Sequence, residues 1–261
     1  MKYVLNKIIK AKIQDNRKII DRHYLLTLEP STAITTPKPG QFYMLSVNNG
    51  LDPLLKRPLS VHNFLDGKLQ FLYRVVGKGT DLLSSRVTGE SIDILGPLGN
   101  GFTVSKTKQI ILLAGGLGIA PIYYLAASIA GRKPVLIYGA GTKETLIYRD
   151  QIKNLGIETV IATDDGSYGK KGNVVTVLKK YLKDTSLPYT DHIIYTCGSE
   201  AMLKPLAEFA SEHGIKIHAA MEQNMACGVG TCMGCVVKTR KGLKRVCKEG
   251  PVFNLNEIEW E

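Results

Sequence analysis

The sequence predicts an antiparallel β-barrel, then a doubly wound α/β domain with a parallel sheet, then a small cysteine-bearing module. Three observations carry this. Short apolar runs, many of them alternating and each bounded by Gly, Pro, Asp or Asn, fill the first hundred residues. From Gln109 onward, strand-like and helix-like runs alternate, the pattern of parallel strands joined by crossover helices. Four of the five cysteines then fall between Cys227 and Cys247. The expected divisions are 1–105, 106–221 and 222–261.

Each element can be justified in order. The stretch from Met1 to Asn16 alternates polar and apolar residues and lacks the apolar core and cleavage site of a secretory signal. "HYLLTLEP" (23–30), "GQFYMLSV" (40–47), "KRPLSVHNF" (56–64), "KLQFLYRVV" (68–76) and "ESIDILGPLG" (90–99) read as barrel strands. In the α/β part, the expected strands are "QIILLAGG" (109–116), "KPVLIYGA" (133–140), "IETVIATDD" (157–165) and "DHIIYTCGS" (191–199). The expected helices are "IAPIYYLAASIAG" (119–131), "ETLIYRDQIKNLG" (144–156), "GNVVTVLKKYLK" (172–183) and "EAMLKPLAEFASEHG" (200–214). "IKIHAAME" (215–222) leads into the cysteines.

Composition narrows the function classes. At 261 residues the chain accommodates two domains, and 44 % hydrophobic with 22 % charged residues is ordinary for a globular protein. The net charge of +11 is spread along the chain rather than blocked, so a nucleic-acid partner is not expected. Ile110 to Ala130 is an uncharged run long enough to span a bilayer, but Gly115, Gly116, Gly118 and Pro121 divide it into strand, turn and helix. No membrane association is expected, and the location is cytoplasmic, where clustered thiols stay reduced and hold metal more often than they form disulfides.

The cysteine spacing is Cys227-x4-Cys232-x2-Cys235-x11-Cys247. That is the plant-type [2Fe–2S] pattern, and four thiolates are the soft ligands that iron requires. Gly228, Gly230 and Gly234 leave room for backbone to wrap a cluster and aim N–H groups at sulfur. The alternative is a zinc knuckle. The hairpin-like "VVKTRKGLKRV" (236–246) separates the third cysteine from the fourth. Val229 and Met233 put apolar side chains on the loop, either for docking a partner or for packing over the cluster.

Upstream, "LLAGGLGIAP" ends a strand and opens a helix, so Gly115, Gly116 and Gly118 let backbone approach a dinucleotide pyrophosphate; a purely structural glycine turn is the alternative. In "YRVVGKGT", Gly77, Lys78, Gly79 and Thr80 form either a phosphate-facing turn or an ordinary β-turn. In "RPLS" (57–60), Arg57 offers a fork to a pyrophosphate and Ser60 a hydroxyl to a ring nitrogen. Cys197 ends a strand, either lining the cofactor crevice or filling core. The five histidines share no metal spacing.

Together, "RPLS", "GGLGIAP" and "TCGS" resemble the motifs of the ferredoxin–NADP reductase superfamily of flavoproteins. "LYRVVGKGT", "GPLGNGF", "TDDGSYGKKG", "MEQNMACGVGTCMGC" and "VCKEGPVF" resemble, more narrowly, the electron transfer subunits of NAD-linked bacterial dihydroorotate dehydrogenases, across nearly the whole chain. The resemblance implies FAD held by Arg57, Pro58, Leu59, Ser60, Leu72, Tyr73, Arg74, Gly79 and Thr80, with Leu72 to Arg74 contributing mostly backbone. It implies cluster ligation by Cys227, Cys232, Cys235 and Cys247, and NAD at the turn of Gly115, Gly116 and Gly118. Leu59 stands where the wider superfamily often has an aromatic. The implied reaction runs from an FMN-bearing, dihydroorotate-oxidising partner through the cluster and FAD to NAD+, in pyrimidine biosynthesis, within a heterotetramer of two of each subunit. A related subunit of a bifurcating NADPH–ferredoxin oxidoreductase or cytoplasmic hydrogenase is the near alternative, and a zinc-stabilised nucleotide-binding interaction module the distant one. A basic partner for an NADP 2′-phosphate would be Lys143, weakened by Glu144 beside it.

Overall fold

The computed structural model describes residues 7–48 and 50–260; the first six residues of the alternating amino-terminal stretch lie outside the described residues. Seven antiparallel strands form the first sheet: β1 (Ile8–Ile20), β2 (His23–Pro30), β3 (Phe42–Leu45), β4 (Arg57–Ser60), β5 (Asn63–Leu65), β6 (Lys68–Arg74) and β7 (Ser91–Leu98). Their order is β4-β3-β7-β1-β2-β6-β5. One extended segment closes the ring by changing partner. Its first half pairs with β3 and its second with β6, while the His62 N–H between them donates to the Gln70 carbonyl at 2.8 Å. Alternate positions point inward: Leu26 and Leu28, Leu69 and Phe71, and Ile92 and Ile94 are buried together in the barrel core.

The second sheet comprises β8 (Gln109–Gly115), β9 (Val135–Ala140), β10 (Thr159–Thr163), β11 (Lys170–Lys171), β12 (His192–Cys197) and β13 (Lys216–Ala220). A separate hairpin, β14 (Val236–Thr239) and β15 (Gly242–Arg245), follows, and β16 (Val252–Asn254) returns to the sheet. The sheet order is β11-β10-β9-β8-β12-β13-β16, parallel except for β16. Its centre is buried on both faces. Ile111 and Leu113 of β8 face one layer of core, and Ile110, Leu112 and Ala114 face the other. Helices are α1 (Lys78–Ser84), α2 (Ile119–Ser128), α3 (Arg149–Lys153), α4 (Val174–Asp184) and α5 (Glu200–His213). Apolar residues of α2 and α3 cover the Leu112 face, and those of α4 and α5 the Leu113 face, so the sheet is doubly wound.

Three elements depart from the sequence expectation. The helix expected over 144–156 is reduced to α3, after a 3-10 turn at Lys143–Thr145. Leu146 and Ile147 leave that turn to enter the core, and Tyr148 takes a left-handed φ of 62°, which a continuous helix forbids. The glycine turn after β6 opens α1: the Thr80 hydroxyl accepts from the Val76 and Gly77 N–H groups and donates to the Gly77 carbonyl, capping seven helical residues. Third, β16 pairs antiparallel with β13, so the segment beyond the cysteines completes the sheet. Among the described residues, no helix is long and apolar enough to cross a membrane. The uncharged run from Ile110 is divided between β8, the glycine turn and α2.

Contacts on two sides tie the barrel to the rest of the chain. Asn100 donates its side-chain amide to the Lys248 and Glu249 carbonyls at 3.1 and 3.0 Å, and its backbone N–H to Gly250 at 2.6 Å. The other joint is aromatic. His62, fully buried, stacks on Tyr123 at 4.8 Å, meets Tyr148 edge-on at 4.4 Å, and bonds the Ala120 carbonyl through Nδ1 at 3.0 Å. That bond assigns the proton to Nδ1 and leaves Nε2 unpaired in the interior. Burial lowers the His62 pKa to about 4, against the smaller opposing effect of the Ala120 carbonyl. A folded-state value below the ordinary 6.5 means that stability is full above pH 6.5 and is lost as pH falls toward 4. Thermal unfolding at pH 4 should show a loss of roughly 2 to 3 kcal/mol from this group. His62→Phe should flatten the pH dependence between 6.5 and 4; an unchanged slope would exclude His62 as its source.

Candidate functional site

A cavity of about 590 Å³ opens between the barrel and the second sheet. The half-buried strand β4 lends it Arg57, Pro58, Leu59 and Ser60; β6 lends Leu72, Tyr73 and Arg74, and α1 lends Thr80. Eight of the nine residues assigned to FAD by resemblance therefore meet in one place. Side chains divide as the pleat requires. Tyr73 sends its hydroxyl into the barrel to Asn16 at 3.0 Å and Leu72 packs on the second core, so this wall presents backbone. Gly79, the ninth, lies outside the lining for a definite reason. A Cβ there would stand 2.3 Å from Arg57 Nε, so the absent side chain lets the guanidinium lie on the first turn of α1. Two bonds shape the expected phosphate turn. The Thr80 hydroxyl is spent on the cap, and the Lys78 ammonium pairs with Asp52.

The second cavity, about 600 Å³, lies at the carboxyl ends of the parallel strands. Gly115, Gly116 and Gly118 line it. They serve differently: Gly116 takes a φ of 53° with open space where a side chain would be, whereas a Cβ on Gly118 would collide with the Cys197 carbonyl at 2.1 Å. Asp164 and Lys179 contribute charge, and Asn173 caps α4 by accepting from the Thr176 N–H at 2.9 Å. Cys197 itself is 2 % exposed and lines neither cavity; burial, then the charge of Glu222, pushes its thiol well above the ordinary range.

The two cavities share a wall of Arg74, Leu117 and Glu222. Burial raises the Glu222 carboxyl above its ordinary value, and the Arg74 charge opposes this. Composition and spacing did not single out Glu222, Gln223, Asn224 or Met225, yet these residues line the first cavity. Their available signal was position: they bridge the last parallel strand and Cys227.

The cysteine loop rests on the barrel. Gly228, at φ 70°, lies so close to β3 that a Cβ would stand 2.5 Å from Met44 Cγ. Cys235 and Cys247 are 2 % and 3 % exposed and share a core with Met44 and Phe42, which also lines the first cavity. Cys227 is half-buried and Cys232 exposed. Backbone donors converge on the sulfurs: Thr231 and Cys232 N–H on Cys227, Gly234 N–H on Cys232, and Cys247 N–H on Cys235, at 3.3 to 3.5 Å. Burial would raise the Cys227 thiol, but donors from Cys232, Val229 and Thr231 outweigh it and draw the value down to about 6. Burial and the neighbouring Cys235 push Cys247 up. Backbone N–H bonds link Cys232 to the Cys227 sulfur and Cys247 to the Cys235 sulfur, and among the described residues no three metal-ligating side chains gather about a point suited to one ion. Two pairs of thiolates amid N–H donors fit a two-iron cluster, in which each iron takes two.

Comparison with known proteins agrees with this geometry. Residues 222–259 match the family described as the iron–sulfur cluster binding domain of dihydroorotate dehydrogenase B, and residues 112–208 match the oxidoreductase NAD-binding domain. The solved NADH-dependent reduced ferredoxin–NADP oxidoreductase is 28 % identical, with a TM-score of 0.85 covering 96 % of this chain and 90 % of that one. A ferredoxin NADP+ reductase from Neisseria gonorrhoeae, 20 % identical with a TM-score of 0.71 over 82 % of this chain and 99 % of that one, shares the fold. Dihydroorotate dehydrogenase B (NAD(+)) electron transfer subunits from Caldanaerobacter subterraneus subsp. tengcongensis and Clostridium acetobutylicum are 37 % and 36 % identical. The first match covers 96 % of this chain and 98 % of the relative, the second 97 % of each. With that likeness over nearly its full length, and a cysteine loop of matching family, the chain belongs to the electron transfer subunits of NAD-linked dihydroorotate dehydrogenase B.

Proposed function

We propose that this chain links an FMN-bearing, dihydroorotate-oxidising catalytic subunit to NAD+ in pyrimidine biosynthesis, as a cytoplasmic heterotetramer of two of each subunit. FAD occupies the first cavity, the nicotinamide nucleotide enters the second, and Cys227, Cys232, Cys235 and Cys247 hold a [2Fe–2S] cluster. The divisions at 105 and 221 then separate three cofactor modules, with β16 lent back to the nucleotide sheet. One observation carries this reading: the wall from Met221 to Met225 borders the flavin cavity, Glu222 in it also borders the nucleotide cavity, and Cys227 follows two residues later.

When bound, the cluster supplies one-electron exchange, the flavin couples single electrons to a hydride, and the nicotinamide carries the hydride away. The chain's own residues bind and orient. Arg57 offers a fork to the flavin pyrophosphate over α1, where Gly79 leaves it room. Leu59 packs as an aliphatic wall, and Ser60 presents a hydroxyl to the ring. Gly116 brings bare backbone to the dinucleotide pyrophosphate. The Cys227 thiol, already drawn down by N–H donors, is readily deprotonated for iron.

Nucleotide choice follows from charge. Asp164 lines the second cavity, whereas Lys143 does not and its backbone N–H donates to Ser167 Oγ at 2.8 Å; the Lys179 ammonium of the same lining lies over the Phe209 ring at 4.9 Å. A carboxylate there accepts from ribose hydroxyls and repels a 2′-phosphate. Reduction of the bound flavin should favour NADH over NADPH, and Asp164→Ser should narrow the ratio of kcat/KM by about tenfold or more. A preference for NADPH in the unsubstituted chain would support the bifurcating-reductase alternative.

The cluster assignment is tested by Cys232→Ser. Flavin absorbance and its reduction by NADH should persist, while dihydroorotate:NAD+ turnover of the complex falls to background. Full turnover would remove Cys232 from the ligand set.

Val229 and Met233 are 40 % and 48 % exposed beside the surface cysteines, a face suited to the catalytic subunit. Met233→Glu should weaken co-elution of the two subunits with flavin and cluster absorbance intact. Unchanged co-elution and turnover would move the docking face elsewhere.

A further inference from the structure

Outside the four sulfurs, the densest polar arrangement in the carboxyl-terminal segment is built on Arg245, the last residue of β15 and two positions before Cys247. Its Nη1 donates to the Gly230 carbonyl at 2.7 Å. Gly230 lies between Cys227 and Cys232, so this bond reaches across the module to the opposite half of the ligand set. The other edge of the guanidinium is engaged by Glu249: Nε donates to Oε2 at 3.0 Å, and Nη2 to Oε1. Glu249 Oε2 also accepts from the Arg245 backbone N–H at 2.8 Å. The Arg245 carbonyl in turn accepts from the Glu249 N–H at 2.9 Å, while the Val246 N–H donates to the Cys235 carbonyl at 2.9 Å. The two side chains are 25 % and 28 % exposed, less than in most of the surface pairs. Both partners therefore hold a fixed, doubly bonded geometry, where an ordinary surface pair contributes little.

The pair also carries charge to a place where charge counts. The guanidinium belongs to the residue two positions before Cys247, and the Val246 N–H beside it donates to the Cys235 carbonyl, so its charge is carried next to the buried sulfurs. Arginine stays protonated at any working pH, and its fork matches a carboxylate in a way that lysine cannot reproduce. Hydrogen bonds and net charge near the sulfurs are what a protein uses to set a cluster's potential.

We propose that Arg245 and Glu249 are positioning residues for the cluster, forming a clasp that ties the Cys227–Cys232 loop to the strand bearing Cys247 and balances charge beside the buried sulfurs. The inference rests on the assignment of [2Fe–2S] to these cysteines. The two functions are separable because removing either partner opens the clasp, whereas the two removals change the local charge with opposite sign.

The experiment uses the full-length chain, cofactors loaded, in complex with its catalytic subunit. R245K, R245Q, E249Q and the double variant R245Q/E249Q are compared with the unsubstituted chain. The readouts are the rate of loss of cluster absorbance under an iron chelator and the cluster midpoint potential from an EPR-monitored titration, with flavin absorbance reporting folding. All four variants should lose the cluster roughly tenfold faster, the scale of a lost charge-assisted hydrogen bond. The potential should fall in R245Q, where an uncompensated carboxylate remains, and rise in E249Q. In the double variant it should return close to its starting value while the loss stays fast. Unchanged loss rates would overturn the clasp, and potentials moving in one direction for both single variants would overturn the charge balance. If the unsubstituted chain itself shows no cluster signal, the ligand assignment fails and the inference with it.

Discussion

Everything in this molecule is arranged around the close packing of one short segment, Met221 to Gly228. It leaves the last parallel strand, forms a wall of the barrel-side cavity, and sets Gly228 against Met44 of β3 so closely that no side chain fits. Electrons cross protein efficiently only over short gaps, so a redox chain must stack its stations. Here sequence continuity does the stacking: the wall shared by the two cavities and the first clustered cysteine follow within six residues, from Glu222 to Cys227.

The same economy explains the glycines that matter. Gly118 admits the start of α2 against the Cys197 carbonyl, Gly79 admits the Arg57 guanidinium against α1, and Gly228 admits the cysteine loop against the barrel. Each is a point where two elements come closer than a Cβ allows. Cys197, by contrast, works through its backbone; its thiol is sealed in the core between the sites.

Much of this was legible before any coordinates. Strong period-2 runs such as "KLQFLYR" and uniformly apolar runs such as "IILLA" announced barrel and parallel sheet, because burial on one face or on both leaves different patterns. The cysteine spacing and the two glycine turns marked the sites. What escaped depended on bonds and packing that composition does not show. Thr80 stands in a glycine-rich turn, and its bonds to Val76 and Gly77 show that it also caps a helix. "ETLIY" has helical composition, but Leu146 and Ile147 gain more from the core than from another helical turn. In the sequence Glu222 stands within the cysteine motif with no role of its own; its importance comes from standing where two cavities meet.

The return of β16 to the edge of β13 has a consequence for biogenesis. The nucleotide sheet is written almost entirely before residue 221, yet its outer edge is supplied by Val252–Asn254, beyond all four clustered cysteines. During synthesis that edge stays bare until the residues beyond Cys247 have been made, a template for wrong partners. Capping the edge draws the hairpin and the Cys247 turn into place behind it. The finishing of the sheet edge and the placing of Cys247 therefore depend on the same stretch of chain.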